Sequence, residues 1–442
     1  MTGFAYLVLG GGGLVLALNM IIVFNTGGMA KHNIHLYILF ITSYYLVLAP
    51  TFTGITEDWV LFTLGWKGSV DIGDIYDFGM LMILLHFVFY TVGYLIIFRQ
   101  QSFLKKDLSD ISYRLSVGQF IEKRIFLLFL FLYMIIFFNT LAGGINLFRI
   151  FMGLYGEPTL GLRGYTYYMQ NFADSLILLL VAGYYFKIKP TYYRIMLAMA
   201  IPLFLVLGFR YRIILFVFGF GIIYLRDNEV KLLTAIKAIL FATLFVYSML
   251  MLTNNRAEIY MQEWDKVSFS LSDLPYDALI NQAKGSRIDF ALYKAIFENK
   301  IEHDYGETTF LYPFIKLMPS FVFNGGEKPY PPPQIRDLHL ALNSGSQVGE
   351  AITSVGSSFY SFGVYGVVSF SLLFGMLVGK LQNRYGKTMF SGLFSIAIGL
   401  SLFMWLTRGY SPGFIDHLGF MLIPILILNY FYNKAIRSAV KI

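Results

Sequence analysis

The residues of this 442-residue sequence whose types and spacing can do chemistry are arginines and carboxylates standing where long apolar stretches end. Arg210 and Arg212 flank Tyr211 in the short hairpin that starts at Gly208-Phe209. Asn254-Asn255-Arg256 closes the next apolar stretch, with Glu258 just beyond it, and Thr407-Arg408-Gly409-Tyr410 closes the penultimate one. Arginine stays charged at any relevant pH and presents a planar fork of donors that matches phosphate oxygens. Arg210, Arg212, Arg256 and Arg408 converging on one face would therefore cradle a diphosphate. None of them can act as a base. Glu350 can: it opens the Gly-, Ser- and Thr-rich run that ends at Gly363, where it would accept the proton of an attacking sugar hydroxyl. Asp416, beside His417 at the start of the last apolar stretch, is a second acid/base candidate, and Arg287 and Glu258 are candidates for substrate contact. The bland alternatives are arginines that snorkel to lipid headgroups and small residues that let helices pack closely.

Other chemistries find little here. Glu302-His303-Asp304 has metal-ligand residue types, but three adjacent side chains point in different directions on any regular element. No Asp-x-Asp pair is present to hold a metal, so a metal-independent reaction without a cofactor is expected. Zero Cys excludes disulfides, cysteine-ligated zinc and a thiol nucleophile. No P-loop and no Gly-x-Ser-x-Gly elbow appears, which argues against ATP-driven transport and serine hydrolysis. His86 lies inside an apolar run and reads as a packed core histidine.

The elements that must position these residues are membrane-spanning helices. With 57% hydrophobic and 14% charged residues and a mean hydropathy of +0.63, the chain is too apolar for a water-soluble globule of its length. Apolar stretches near 3–24, 34–52, 77–98, 125–141, 171–186, 192–208, 211–225, 232–253, 360–379, 388–406 and 414–432 are long enough to cross a bilayer as helices. The expected fold is thus an all-α polytopic membrane protein with about 11 (10–12) transmembrane helices. A barrel would alternate over ~10 residues, and such alternation is absent. The first stretch has no basic leader or small-residue cleavage site and reads as a retained span.

Alternate connections differ sharply in basic residues. One set includes Arg99, Lys105, Lys106, Arg114, Lys123 and Arg124 in a single connection, whereas the connection around 53–76 carries Glu57, Asp58, Asp71 and Asp74. The basic set is expected on the cytoplasmic side. The net charge of +8 is then an orientation signal, and nucleic acid is not an expected partner. The chain divides into an N-terminal bundle over 1–253 with about eight spans, a large extracytoplasmic loop over 254–359, and about three C-terminal spans over 360–442. Within the loop, Tyr276–Asn299 interleaves apolar and charged residues as one or two amphipathic helices broken near Gly285. Phe310–Phe323 is apolar but too short to cross and reads as an interfacial piece.

From about 205 to 425 the order of features resembles the Wzy-type polymerases of O-antigen and related bacterial polysaccharides. The resemblance rests on Gly208-Phe209-Arg210, on Arg256 at the end of a span, and on a large outer loop holding Met318-Pro319-Ser320-Phe321-Val322-Phe323-Asn324-Gly325. Glu350 to Gly363, Gly366 and then Arg408 near the last spans complete it, while the N-terminal half matches only as a succession of spans. The resemblance implies an inverting glycosyltransferase in the bacterial cytoplasmic (inner) membrane. Its donor would be a growing glycan on undecaprenyl diphosphate and its acceptor a single lipid-linked oligosaccharide repeat unit. A chain-length regulator and a flippase would be partners besides the lipid bilayer. Arg210, Arg256 and Arg408 would hold the departing diphosphate. The competing readings are an O-antigen ligase, for which His303 and His339 lack a supporting motif, and a lipid-linked oligosaccharide flippase. A flippase is expected to show two related halves with charges near mid-membrane.

Overall fold

The computed structural model describes residues 3–26, 28–62, 69–98, 108–142, 165–206, 210–228, 285–318, 322–323, 351–385 and 389–440, with isolated positions between 240 and 268. The described chain is almost wholly helical. Its helices are α1 (Gly3–Asn25), α2 (Asn33–Ser43), α3 (Ala49–Thr56), α4 (Tyr76–Ile97), α5 (Leu108–Ala142), α6 (Tyr165–Tyr185), α7 (Pro190–Val206) and α8 (Arg210–Asp227). They continue with α9 (Gly285–Phe297), α10 (Tyr312–Leu317), α11 (Ser354–Arg384), α12 (Met389–Arg408) and α13 (Ser411–Val440). Ten of the eleven apolar stretches picked out in the sequence fall on these helices. The eleventh, 232–253, lies largely outside the described residues.

Among the described residues, five helical segments are long and apolar enough to cross a membrane: Asn33–Thr56, Gly73–Ile97, Ser354–Arg384, Phe390–Arg408 and Ser411–Lys434. Gly10–Asn25 and Asn171–Tyr185 are shorter apolar helices. Large apolar side chains such as Leu14, Ile96, Leu373 and Leu426 are more than half exposed on these helices, as lipid-facing side chains are. The first of the five runs through α2 and α3 as one rod. Pro50 cannot donate to the carbonyl four residues back, and the rod widens into a π turn over Tyr44–Leu48 just before it.

One element is absent from the sequence-based expectation. Val60–Phe62 (β1) and Ser69–Asp71 (β2) pair as an antiparallel hairpin, Val60 opposite Asp71 and Phe62 opposite Ser69, in the acidic connection between α3 and α4.

The chain packs as two compact units. The first takes Met1–Gln101, Leu279–Arg384 and Ser401–Asp416; the second takes Ser102–Ala278, Tyr385–Leu400 and His417–Ile442. In the first unit the principal partners are α4 and α11, and α1, α2 and α9 also pack on this pair. The pairing follows from Gly375-Met376-Leu377-Val378-Gly379, whose glycines fall on one face of α11. A Cβ on Gly375 would overlap the Tyr90 carbonyl, and one on Gly93 the Leu372 carbonyl, so the two backbones touch. Polar groups join the same helices: Asn19 donates to Thr91 (2.8 Å), His35 meets Tyr90 (2.8 Å) and Asn19 (3.1 Å), and His32 meets Tyr94 (2.7 Å). His86 is buried as expected, with Ser371 2.7 Å from its Nδ1.

Helix α11 is broken at Phe362 (φ −144°, ψ 25°) and Gly363 (φ 61°, ψ −146°), a backbone state that glycine reaches without Cβ cost. Ser354–Ser361 is therefore a buried half-helix. The break exposes a carbonyl that the chain then satisfies, because Tyr360 O accepts from Asp304 N (3.1 Å) and lies 3.0 Å from His303 Nδ1. In the second unit α6 packs against α5, α7 and α8. Gly219 of α8 allows close approach to Val181 of α6 and Leu400 of α12.

Candidate functional site

In the first unit, the N-termini of α9 and α11 meet the C-terminal end of α12. Gly285, the first residue of α9, is glycine because a Cβ there would lie 3.2 Å from Ala351 O and 3.7 Å from Thr407 O. Asp289, one turn further on, caps α11 from outside. Its Oδ1 accepts from Thr353 N at 2.8 Å, its Oδ2 accepts from the Thr353 hydroxyl, and Gly356 N donates to it as well. A Cβ on Gly356 would overlap this carboxylate, so the small residue is what lets the acid reach the helix end. Burial pushes the Asp289 carboxyl up to about 7, against the opposing pull of the hydrogen bonds from Thr353 and Gly356.

Arg408 ends α12 at this place and is exposed, with no ion pair or hydrogen bond among the described residues. Gly409 follows with φ 54°, tucked so closely against Thr353 O that a Cβ would meet it. The chain therefore reverses here with the arginine held outward. Arg287 is committed elsewhere. It is buried on α9, with Nη2 donating to Asp58 O at 3.0 Å and lying 3.2 Å from Asp58 Oδ2. Lys294, two turns on, holds Asp74 at 2.9 Å, so the basic residues of α9 fasten the helix to the connection that carries the hairpin.

A second group of charges lies in the second unit. Arg212, near the start of α8, is expected from the sequence at the outer surface. Its side chain is instead 1% exposed, and its Nε donates to Asp174 Oδ1 at 2.9 Å. The other carboxylate oxygen of Asp174 lies 2.7 Å from His417 Nδ1. The Tyr211 ring stands edge-on to the imidazole at 5.4 Å between centroids and also contacts the Arg212 guanidinium. Asp174 is on α6, one turn inside its apolar portion, where an unpaired carboxylate would be too costly to keep. The buried arginine is explained by this partner, which the apolar character of the Asn171–Tyr185 stretch hides in the sequence.

Among the other sequence candidates, Asp416 is half-buried on α13. Arg210 is placed only as the first residue of α8, and Arg256, Glu258 and Glu350 lie outside the described residues. Glu302-His303-Asp304 is structural where its contacts are seen: Asp304 accepts from Gly306 N (2.9 Å) and Thr308 N (3.1 Å), while His303 holds the α11 break. Among the described residues no group of three or more His, Cys, Asp or Glu side chains is arranged to hold a metal ion.

Comparison of the chain with protein-family models, with curated proteins and with solved structures returned no match.

Proposed function

We propose that this protein is a polysaccharide polymerase: an inverting glycosyltransferase that joins polyprenyl-diphosphate-linked oligosaccharide repeat units at the outer face of a bacterial cytoplasmic membrane. In this reading about eleven helices cross the bilayer, the basic connections face the cytoplasm, and 254–359 is a large extracytoplasmic loop. The observation that carries it is the exposed Arg408, which makes no ion pair or hydrogen bond among the described residues, beside the first turns of α9 and α11. An exposed arginine fork presents a planar set of donors that matches phosphate oxygens. A glycosyl diphosphate needs such donors most as its C1–O bond breaks and negative charge gathers on the leaving group.

Arg210, Arg256 and Arg408 are assigned to the diphosphate and Glu350 or Asp416 to proton transfer. Tyrosines of the outer loop supply flat faces for sugar rings.

Purified protein in nanodiscs, given a synthetic undecaprenyl-diphosphate repeat unit, is expected to produce a ladder of longer glycans that survives EDTA. Arg408→Ala is expected to reduce ladder formation at least ~100-fold, the usual scale for a lost transition-state charge contact. Full activity in a folded Arg408→Ala protein would remove the arginine from the mechanism. A second reading, movement of a lipid-linked oligosaccharide across the bilayer, is favoured by one observation, the buried contacts of His32, just before α2, and His35 of α2 with Tyr94 and Tyr90 of α4. Translocation of a fluorescent lipid-linked oligosaccharide into proteoliposomes, with no ladder formed, would favour it.

A further inference from the structure

We propose that the outward face of the helical segment Glu307–Leu317 receives the isoprenoid tail of the lipid-linked donor while Arg408 meets its diphosphate. This rests on the transferase reading and goes beyond it by giving the tail a place on the chain.

A π turn over Glu307–Leu311 runs straight into α10, and the two together are too short to cross a bilayer. Their sidedness is the reverse of a helix that meets water. Thr308 and Tyr312 are buried, whereas Phe310, Leu311, Phe314 and Met318 are 54, 53, 64 and 43% exposed. Phe310, Phe314 and Met318 recur every four residues with Leu311 beside them, so the exposed apolar groups form one strip. In water such a strip is a liability, and the helix it leans on says what covers it. The Phe310 ring lies 5.6 Å from that of Phe370 on α11, and Phe362 lies 6.2 Å from Phe370 on its other side of the break. Leu373 and Leu377, one and two turns beyond Phe370, are exposed. The strip is thereby continuous with the hydrocarbon-facing side of a helix long and apolar enough to span.

The same segment is stitched to the residues that follow Arg408. Ser411 Oγ donates to Thr308 O at 3.0 Å with Thr309 O at 3.1 Å, and the Tyr410 ring lies 6.4 Å from that of Tyr312, all within the first unit. An exposed cation and an exposed apolar strip therefore adjoin. A prenyl diphosphate fits that arrangement, because its first tail carbon is bonded directly to a phosphate oxygen and its charge and hydrocarbon are immediate neighbours. In a phospholipid a glycerol and two ester groups stand between them. The flat faces of Phe310 and Phe314 also suit the methyl branches and double bonds that an isoprenoid carries along its length. From the strip the remainder of a long tail can follow Leu373 and Leu377 into the bilayer.

The test titrates undecaprenyl diphosphate, without sugars, onto the full-length protein in detergent and reads binding by native mass spectrometry. Leu311→Ser combined with Phe314→Ser is expected to weaken binding at least ~10-fold, the scale of one lost apolar side-chain contact, whereas Leu14→Ser on α1 is expected to bind as the unchanged protein does. An undecaprenyl diphosphate bearing a diazirine in the isoprene units nearest the diphosphate, added to the unchanged protein in nanodiscs, is expected to label Phe310–Met318. Excess phosphatidylglycerol is expected to leave that label in place. Unaltered affinity in a folded double variant, or label confined to other segments, overturns the assignment, and suppression of the label by phosphatidylglycerol identifies an ordinary leaflet contact and overturns it too. If the double variant does not fold, the label decides alone. The transferase reading is scored separately by the glycan ladder: a ladder with the label elsewhere keeps that reading and removes the tail site, while label on Phe310–Met318 without a ladder keeps the tail site and removes the transferase.

Discussion

Asp289 gives the sharpest test of the first unit. Its carboxyl titrates near 7 when α9 is docked and at 3.8 when α9 is not, so proton binding and docking are linked. The raised value means that the neutral acid suits the docked state. The stabilisation is fully present below about pH 4 and is lost as pH rises through 7. Three units at ~1.4 kcal/mol each make the full effect about 4 kcal/mol, of which roughly 2.5 kcal/mol falls between pH 5 and pH 8. Hydrogen exchange of the α9 amides in detergent, corrected for the intrinsic pH dependence of exchange, reads this directly. The opening free energy of Gly285–Phe297 should decline by about that amount from pH 5 to pH 8. Asp289→Asn keeps an acceptor for Thr353 but cannot ionise, so its opening free energy should be flat and, at pH 8, higher than that of the unchanged protein. A flat profile in the unchanged protein, or the same slope in Asp289→Asn, would refute the linkage.

Arg212→Leu should lower thermal stability in detergent by the equivalent of about 3–5 kcal/mol, since it strips a buried carboxylate of one partner. Replacing Asp174 and Arg212 together by leucine should cost less than Arg212→Leu alone, and a double-mutant cycle of thermal unfolding checks the order. Gly375→Leu should separate α4 from α11 and lower the unfolding midpoint sharply, whereas Gly12→Leu, with nothing within 4 Å of its Cβ position, should leave it nearly unchanged.

Much of the helical frame is legible from residue order, because lipid demands apolar stretches of bilayer length and each stretch announces itself without reference to any other. An amphipathic helix within Tyr276–Asn299, described over Gly285–Phe297, and a packed His86 follow from equally local signals. Features that depend on which face meets which are not legible in the same way. Asp174 sits in an apolar run, and only the arrival of Arg212 and His417 from distant helices explains it. Asp289 looks like one more charge on the polar face of a helix until Thr353 is brought against it. Arg212 was expected outside because a hairpin arginine usually is; a buried carboxylate within reach outweighed hydration. The β1–β2 hairpin escaped notice because three-residue strands carry no measurable periodicity.

The close contact of α4 with α11 has a consequence for biogenesis. The two helices are separated in the sequence by α5 to α8, which belong to the other unit, and by α9 and α10. As the chain leaves the ribosome, α4 enters the membrane long before its partner is synthesised. The face of α4 that carries Gly93 must therefore wait in lipid, or on an insertion factor, while the intervening helices assemble. Closing so long a loop costs entropy that only the α4–α11 contact and its polar links return. Chains truncated before Ser354 should accordingly leave α4 without its principal partner, open to quality-control proteolysis in the membrane.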